Sequence, residues 1–403
     1  MLGLASTEGL RPEPVPLDVK VVIIGPPYLY YLLHYYDEDF SKLFTIRSDF
    51  DVEMDWTEEA EVQVARFIRA RRQEDPGILP FSPQGVAKVV EYAGELAGSQ
   101  RKLSTRFSLL SSLVREASFW AQEEGAQVVE ARHVRTAIKK GRFRHSLIAE
   151  KIREWIKEGK LIVELDGSKV GQVNGLAVVD LGDFAFGRPS RITANVYAGK
   201  DGVVDIEREA ELAGKIHTKG VMILKGYLGA KFASQGPLSL SASIAFEQSY
   251  SMVDGDSASA AELYALLSSL AGVPLRQGIA VTGSVDQKGN LQPIGGVNEK
   301  IEGHFLVCQE VGFTGDQGVI IPAKNVSDLM LPEEVLEAVE AGKFHIWAVE
   351  RAEEGLEILT GMPTGEPDES GAYPEGTVFY KVQERLKDLR ASLKEEKEEE
   401  EES

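Results

Sequence analysis

Several common features are scarce in this chain of 403 residues, and each scarcity excludes a class of protein. Cysteine occurs once, at Cys308, so no disulfide can form within the chain and we expect a reducing compartment. Basic residues are outnumbered, with 44 Lys and Arg against 64 Asp and Glu, and the formal net charge is −20. This balance argues against nucleic acid and anionic membrane surfaces as partners.

Long apolar runs are also missing. No run approaches the ~18 to 20 residues that cross a bilayer, because the most apolar segment, VVIIGPPYLYYLLHYY, is broken by Gly25, Pro26, Pro27 and His34. The first 18 residues lack the basic start and continuous apolar core of a secretory signal. We therefore expect a cytoplasmic protein with no membrane partner.

The chain lacks the short motifs of nucleotide and metal chemistry. A phosphate-binding loop needs G-x-x-x-x-G-K-[ST], and each of the four Gly-Lys pairs is followed by a residue without a hydroxyl group. The apolar run at 21–24 carries no Asp-Glu pair at its end to hold magnesium. The six histidines show neither H-E-x-x-H nor C-x-x-C spacing, and no G-x-S-x-G segment frames a serine. We expect no nucleotide, metal or other cofactor.

The first part of the chain has helical patterning. A short buried strand is predicted at 21–24, stopped by Gly25. Apolar residues at helical spacing then predict helices over 57–72, 82–97 and 104–124, and a shorter helix follows in RHVRTAIKKG. Thr57 is suited to cap the first helix, and the second is predicted to start at Ser82-Pro83. Residues 1–158 are therefore predicted to be mainly helical.

Near Lys160 the pattern changes to short runs rich in Val, Ile and Thr, which predict strands. Strong helical segments at 258–270 and 297–310 interrupt these runs, so we predict an α+β domain over 159–370. For 371–403 we predict a C-terminal helix and an acidic disordered tail, because KEEKEEEEES is a run of mostly like charge.

One serine, Ser257, stands in a setting that suits a nucleophile. Asp254-Gly255 favours a turn, Asp256 is suited to be an N-cap, and Ser257 would then fall in the first turn of an apolar helix. Free amides at a helix N-terminus stabilise negative charge, which an attacked carbonyl develops. On composition alone, an ordinary capping turn is the simpler interpretation of Ser257.

A candidate base for this serine, Lys300, lies in the segment PIGGVNEKI at 293–301, which predicts a helix after a glycine turn. Beside Ile294, Val297 and Ile301 the lysine is expected to be desolvated and near the positive end of that helix. Both effects lower the lysine pKa below the ~10.4 of a solvated side chain, so that it can accept a serine proton. On spacing alone, a surface lysine of an ordinary helix is the simpler interpretation, and His217 and His304 are the next candidates for a base.

These segments resemble the Lon protease family, whose Ser-Lys proteolytic domain has an acidic residue or proline before the serine and a G-G-[hydrophobic]-x-x-K segment. The similarity covers about residues 170–365 and includes GQVNGLAV, FEQSY, DGDSAS, IAVTGSV and GNLQPIGGVNEKI. The form GDSAS is most similar to the archaeal-type branch. The resemblance implies that Ser257 is the nucleophile, preceded by the acidic Asp256, that Lys300 is its base, and that Thr282 helps to orient the lysine.

The first 160 residues resemble the last core strand and the helical lid of the family's ATPase module, in SDFDVEM at 48–54 and in the stretch 96–121. Because the nucleotide motifs are absent, the chain as a whole resembles the ATP-independent Lon-like C subfamily, with a degenerate AAA+-like region before the α+β proteolytic domain. The resemblance implies an ATP-independent serine endopeptidase that acts through an acyl-enzyme on unfolded or loosely folded polypeptides, in a homohexameric ring. Two other functions stay open: a non-catalytic ring that holds unfolded chains, and an ATPase with divergent motifs.

Overall fold

The computed structural model describes residues 15–182 and 184–402, and the chain divides into two compact units, 1–51 and 52–403. In the first unit the described elements are helices α1 (Pro27–Tyr36) and α2 (Phe40–Leu43). Pro27 occupies the first position of α1, where its missing N–H costs nothing. Among the described residues, no helix is long and apolar enough to cross a membrane.

The strand predicted at 21–24 is absent, and that prediction is wrong. These four residues have no regular secondary structure, and Ile24 is 94% exposed. A strand is stable only where a neighbouring strand takes its backbone hydrogen bonds. The described part of the first unit contains no strand to provide them.

The second unit begins with a helical region that confirms the predicted helices. Thr57 Oγ1 accepts a hydrogen bond from Ala60 N, so the predicted cap is present. The second helix begins where predicted, and Ser82 Oγ caps it by accepting a hydrogen bond from Gly85 N. The elements of this region are β1 (Glu53–Asp55), α3 (Glu58–Glu74), α4 (Pro83–Ala97), β2 (Lys102–Ser104), α5 (Phe107–Glu123), α6 (Ala131–His145) and α7 (Leu147–Lys157).

The elements that follow form a mixed sheet with helices on both faces, as expected of an α+β domain. They are β3 (Ser168–Lys169), β4 (Gln172–Asp180), β5 (Ala185–Ala198), β6 (Gly202–Asp205), α8 (Ile206–Glu209), α9 (Lys215–Phe232), β7 (Leu240–Phe246), α10 (Ser259–Ala271), β8 (Leu275–Arg276), β9 (Ile279–Val281), β10 (Ser284–Val285), β11 (Leu291–Gln292), α11 (Val297–Val311), β12 (Gly318–Pro322), α12 (Glu333–Glu340), β13 (His345–Val349), α13 (Ala352–Thr360) and α14 (Val378–Glu402).

Seven strands make the main sheet, in the order β13-β12-β9-β4-β5-β7-β6. The strands β13, β12, β9 and β4 run parallel, and β5 is antiparallel to both of its neighbours. Side chains alternate between the two faces: Ile279 and Val281 of β9 join one hydrophobic core, and Ala280 joins the other. The first core holds α9, α10 and α14, and the second holds α11, so both faces of the sheet are covered.

The last helix, α14, differs from its prediction in two ways. Its first half packs into the same core as α10 through Val378, Phe379, Val382 and Leu386, so it is an integral part of the sheet domain. It also continues to Glu402, where the sequence predicts a disordered tail. Lys and Glu have high helix propensity, and extending an existing helix avoids the cost of nucleation.

Candidate functional site

Ser257 lies in a turn between β7 and α10. The structure corrects one detail of the prediction, because α10 begins at Ser259 with Ala258 at the N-cap position, so Asp256 does not cap it. The Asp256 carboxylate instead accepts a hydrogen bond from Ser284 Oγ at 2.9 Å. This bond fixes the turn against β10, and no local sequence pattern predicts it because the partners are 28 residues apart.

Lys300 lies in the first turn of α11, as predicted, and only 3% of it is exposed. Gly296 caps the helix with a φ of +68°, a left-handed conformation that favours glycine. A Cβ at Gly296 would also lie 2.7 Å from Val178 Cγ2, so a larger residue would push the start of α11 away from the sheet. Val297 and Ile301 sit in the hydrophobic core beside the lysine.

The fold brings Lys300 to Ser257. Lys300 Nζ lies 2.9 Å from Ser257 Oγ and 3.0 Å from Thr282 Oγ1, and both contacts are hydrogen bonds. Thr282 is fully buried at the end of β9, and its hydroxyl also lies 3.3 Å from the Ser257 carbonyl oxygen. The structure therefore places three of the predicted site residues in one hydrogen-bonded group, with Asp256 next in the chain.

Backbone hydrogen bonds hold the serine turn against the end of β9. Gly283 N donates to the Ser257 carbonyl at 2.8 Å, and Ala260 N donates to the Gly283 carbonyl at 3.1 Å. The amide N–H groups of Ser257 and Ala258 make no hydrogen bond within the described part of the chain. They are available to stabilise negative charge on a bound carbonyl oxygen.

Two glycines that the sequence analysis did not single out set the position of α11. A Cβ at Gly303 would lie 2.0 Å from the carbonyl oxygen of Gly187 in β5, and a Cβ at Gly187 would lie 2.6 Å from Lys300 Cα. Helix and strand can approach this closely only because both residues lack a side chain. The sequence could have indicated this close approach, because glycine inside a strand or a helix often marks one. Here the glycines are Gly187 in the strand and Gly303 in the helix.

Burial lowers the pKa of Lys300 to about 8, whereas the nearby carboxylates of Glu299 and Asp256 oppose this shift. At pH 7 about a tenth of the lysine is therefore unprotonated, and this form can accept a proton from the Ser257 hydroxyl. The two histidines considered as alternative bases make no hydrogen bond to Ser257. His304 is fully buried against the Gly278 carbonyl, and burial lowers its pKa to about 4.

Comparison with known proteins gives matches along most of the chain. Residues 246–360 match the family model of the Lon protease (S16) C-terminal proteolytic domain. Residues 80–144 match the archaeal LonB AAA+ ATPase LID domain, and residues 1–51 match the LonB-like AAA domain. The helical region therefore contains an AAA+-type lid, and a Lon-type proteolytic domain follows it.

Curated relatives agree with these models. A putative Lon protease homolog of Escherichia coli is 47% identical over 246 residues, which is 60% of this chain and 41% of the relative. An archaeal Lon protease of Archaeoglobus fulgidus is 30% identical over 349 residues, which is 86% of this chain and 53% of the relative. The chain thus spans about half the length of the relatives it matches.

Over these ranges the chain is similar to proteins of the Lon protease family. Both models that match its N-terminal part are of the LonB type, and the name of one of them includes an ATPase. These two matches favour a relationship to ATPase-type Lon proteins over the predicted relationship to the ATP-independent subfamily.

Proposed function

We propose that this chain is a serine peptidase in which Ser257 is the nucleophile and Lys300 is the general base. The observation that carries the proposal is the 2.9 Å hydrogen bond between Lys300 Nζ and Ser257 Oγ, made by a lysine that is almost fully buried. A serine hydroxyl needs such a base before it can attack a carbonyl. The match of residues 246–360 to the Lon proteolytic domain supports the same reaction.

The proposed reaction uses the groups already described. Ser257 Oγ attacks the peptide carbonyl carbon while its proton passes to Lys300 Nζ, and the amides of Ser257 and Ala258 stabilise the oxyanion. The protonated lysine then gives its proton to the leaving amine as the C–N bond breaks. Water attacks the resulting acyl-enzyme while Lys300 accepts its proton. The lysine then returns that proton to Ser257 Oγ as the bond between Oγ and the acyl carbon breaks. Thr282 Oγ1, at 3.0 Å, holds Lys300 Nζ on the serine.

We further propose that the substrates are unfolded or loosely folded polypeptides, and that cleavage by this chain needs no nucleotide. The absence of a G-x-x-x-x-G-K-[ST] motif from the 403 residues supports nucleotide independence. A homohexameric ring, which the family resemblance supports, and a cytoplasmic location, which the single cysteine supports, complete the proposal. A ring would limit access to chains flexible enough to enter it.

An ATP-dependent peptidase is the second candidate. It is favoured by one observation, the match of residues 1–51 to the LonB-like AAA domain. In that case nucleotide would act through the N-terminal part of the protein, and the reaction at Ser257 would be the same.

One digestion experiment separates these candidates. Purified wild type and Ser257→Ala are incubated with a disordered protein such as a casein, with and without ATP and Mg²⁺. We expect wild type to cleave equally well in both conditions and Ser257→Ala to be inactive. Cleavage by wild type only with ATP would favour the second candidate. Equal cleavage by wild type and Ser257→Ala would show that Ser257 is not the nucleophile.

A further inference from the structure

Four ionisable side chains meet in the interior of the sheet domain, beside the serine turn. Asp205 ends β6, Glu207 lies in α8, His217 lies in the first turn of α9, and Glu262 lies in α10. Each of these residues is between 1% and 4% exposed. They come from four separate elements, so no short motif in the sequence marks them.

Each of the four side chains has at least one polar atom without a hydrogen-bond partner. Asp205 Oδ1 accepts from Glu207 N, and Glu207 Oε1 accepts from Phe246 N, which leaves the second oxygen of each carboxylate unpartnered. Both oxygens of Glu262 and Nε2 of His217 are unpartnered too. His217 Nε2 lies 3.3 Å from Asp205 Oδ2 and 3.6 Å from Glu262 Oε1, so these atoms face one another.

Burying these four side chains with unpartnered polar atoms is energetically unfavourable. Three carboxylates share one imidazole, and buried polar atoms in folded proteins almost always have partners. A cation bound between Asp205, Glu207 and His217 would contact one unpartnered atom of each, with the Glu262 carboxylate beside them.

We propose that Asp205, Glu207, His217 and Glu262 form a binding site for a divalent transition-metal ion such as Zn²⁺ or Mn²⁺. One ligand atom from each of Asp205, Glu207 and His217 already lies within 4.8 Å of the other two. Metal–ligand distances of ~2.0 to 2.2 Å are then within reach of small side-chain movements. An imidazole among the ligands favours zinc or manganese over Mg²⁺ and Ca²⁺, which take oxygen ligands.

The position of the cluster gives the ion a structural role. The elements that carry His217 and Glu262 both contact the serine turn: Ile216 N donates to Asp254 Oδ1 at 3.3 Å, and α10 begins two residues after Ser257. Gly214, at the start of α9, also donates its N–H to the Val253 carbonyl at 2.8 Å. An ion bound between α9 and α10 would therefore stabilise the two helices that hold the Ser257 turn in position.

Metal binding is tested directly on the full chain, without reference to activity. The metal content of the purified protein is measured by plasma mass spectrometry, and EDTA-treated protein is then titrated calorimetrically with Zn²⁺, Mn²⁺ and Mg²⁺. We expect one transition-metal ion per chain, weak or no binding of Mg²⁺, and a higher unfolding temperature with the ion than without it. Anomalous scattering from a zinc-soaked crystal would locate the ion.

Variants assign the binding to these residues. Glu262→Gln should weaken binding at least about tenfold, and the double variant Asp205→Asn/His217→Asn should abolish it. The matched control is Glu209→Gln, which removes an exposed carboxylate from the same short helix as Glu207 and should bind as wild type does. Circular dichroism checks the fold of each variant.

Two results would overturn the proposal. The first is wild-type protein that neither contains nor binds any of the three ions, a result that does not depend on whether the variants fold. The second is a folded double variant that binds metal as tightly as wild type, which would assign the ion to other residues. A failure of the peptidase proposal would leave this test unaffected, since it measures only metal and stability.

Discussion

The helical region at 58–157 and the sheet domain after it differ in what they bury. The helical region buries mostly Val, Leu and Ala, and its charged side chains form exposed pairs such as Arg71–Glu74 and Arg144–Glu116. The sheet domain also buries ionisable groups, among them Lys300 and Glu262. Burying a charge is unfavourable unless something compensates for it. The helical region buries one ionisable side chain, His133, which takes part in the helix cap at Glu130. Within the described residues, clusters of buried ionisable groups occur in the sheet domain, and these clusters mark candidate chemistry.

The sharpest test of this difference removes the buried pair. Ser257→Ala and Lys300→Ala should each lower peptide cleavage by at least about 10⁴-fold, because nucleophile and base act as a unit. Lys300→Arg should fail to a similar extent, since arginine stays protonated and cannot accept the serine proton. The measurement is kcat/KM on a short fluorogenic peptide, with circular dichroism to confirm folding. Near-normal activity of Lys300→Arg would contradict a base at this position.

The second prediction concerns pH. The base must be unprotonated, and because burial sets the pKa of Lys300 to about 8, activity should rise with pH and level off above that value. Between pH 8 and pH 6 the neutral fraction, and with it kcat/KM, should fall roughly 50-fold. The profile is recorded with a short uncharged peptide from pH 5.5 to 9. A flat profile over this range would show that the rate of cleavage does not depend on the protonation state of Lys300.

A third prediction addresses the close approach of α11 to β5. Gly303→Ala places a Cβ against the Gly187 carbonyl, so it should lower the free energy of unfolding by about 1 to 3 kcal/mol and reduce cleavage by moving Lys300. The matched control is Gly229→Ala in α9, where a Cβ meets nothing within 4 Å. That variant should be as stable as wild type or more so, because alanine favours helix. Urea unfolding and peptide cleavage are measured for both, and equal effects in the two variants would refute a special role for Gly303.

The smallest effect on activity is expected in the helical region. Leu110 is fully buried in the helical core, so Leu110→Ala should cost about 2 to 5 kcal/mol of stability there. Below the unfolding temperature, its cleavage of a short peptide should stay within about twofold of wild type. Thermal unfolding and kcat/KM are compared in the same buffer. A large loss of peptide cleavage in the folded variant would show that this region contributes to the chemistry after all.

Local patterns were sufficient to predict the helices of the helical region. Thr57 and Ser82 cap helices where expected because capping and helical periodicity are properties of neighbouring residues. The strand at 21–24 was predicted wrongly because a strand depends on partners elsewhere, and local sequence does not reveal them. The acidic end was predicted to be disordered from its charge, although its Glu and Lys residues favour helix.

The candidate site was predictable only in part. Ser257 and Lys300 lie in segments with turn and cap signals, and the family resemblance paired them across 43 residues. The contact of Asp256 with Ser284 and the approach of Gly187 to Gly303 depend on the register of distant elements. The cluster around His217 was missed for the same reason, because its members have no fixed spacing.

The two faces of the sheet have a consequence for when the molecule can act. Ser257 immediately precedes residues of one hydrophobic core, and Lys300 lies between residues of the other, with β9 separating the two. Their side chains can meet only after both cores have formed around the same strand. A newly made chain with one face still open would hold a serine without its base. The proposed activity would thus appear at the end of folding, which would protect neighbouring unfinished chains from premature digestion.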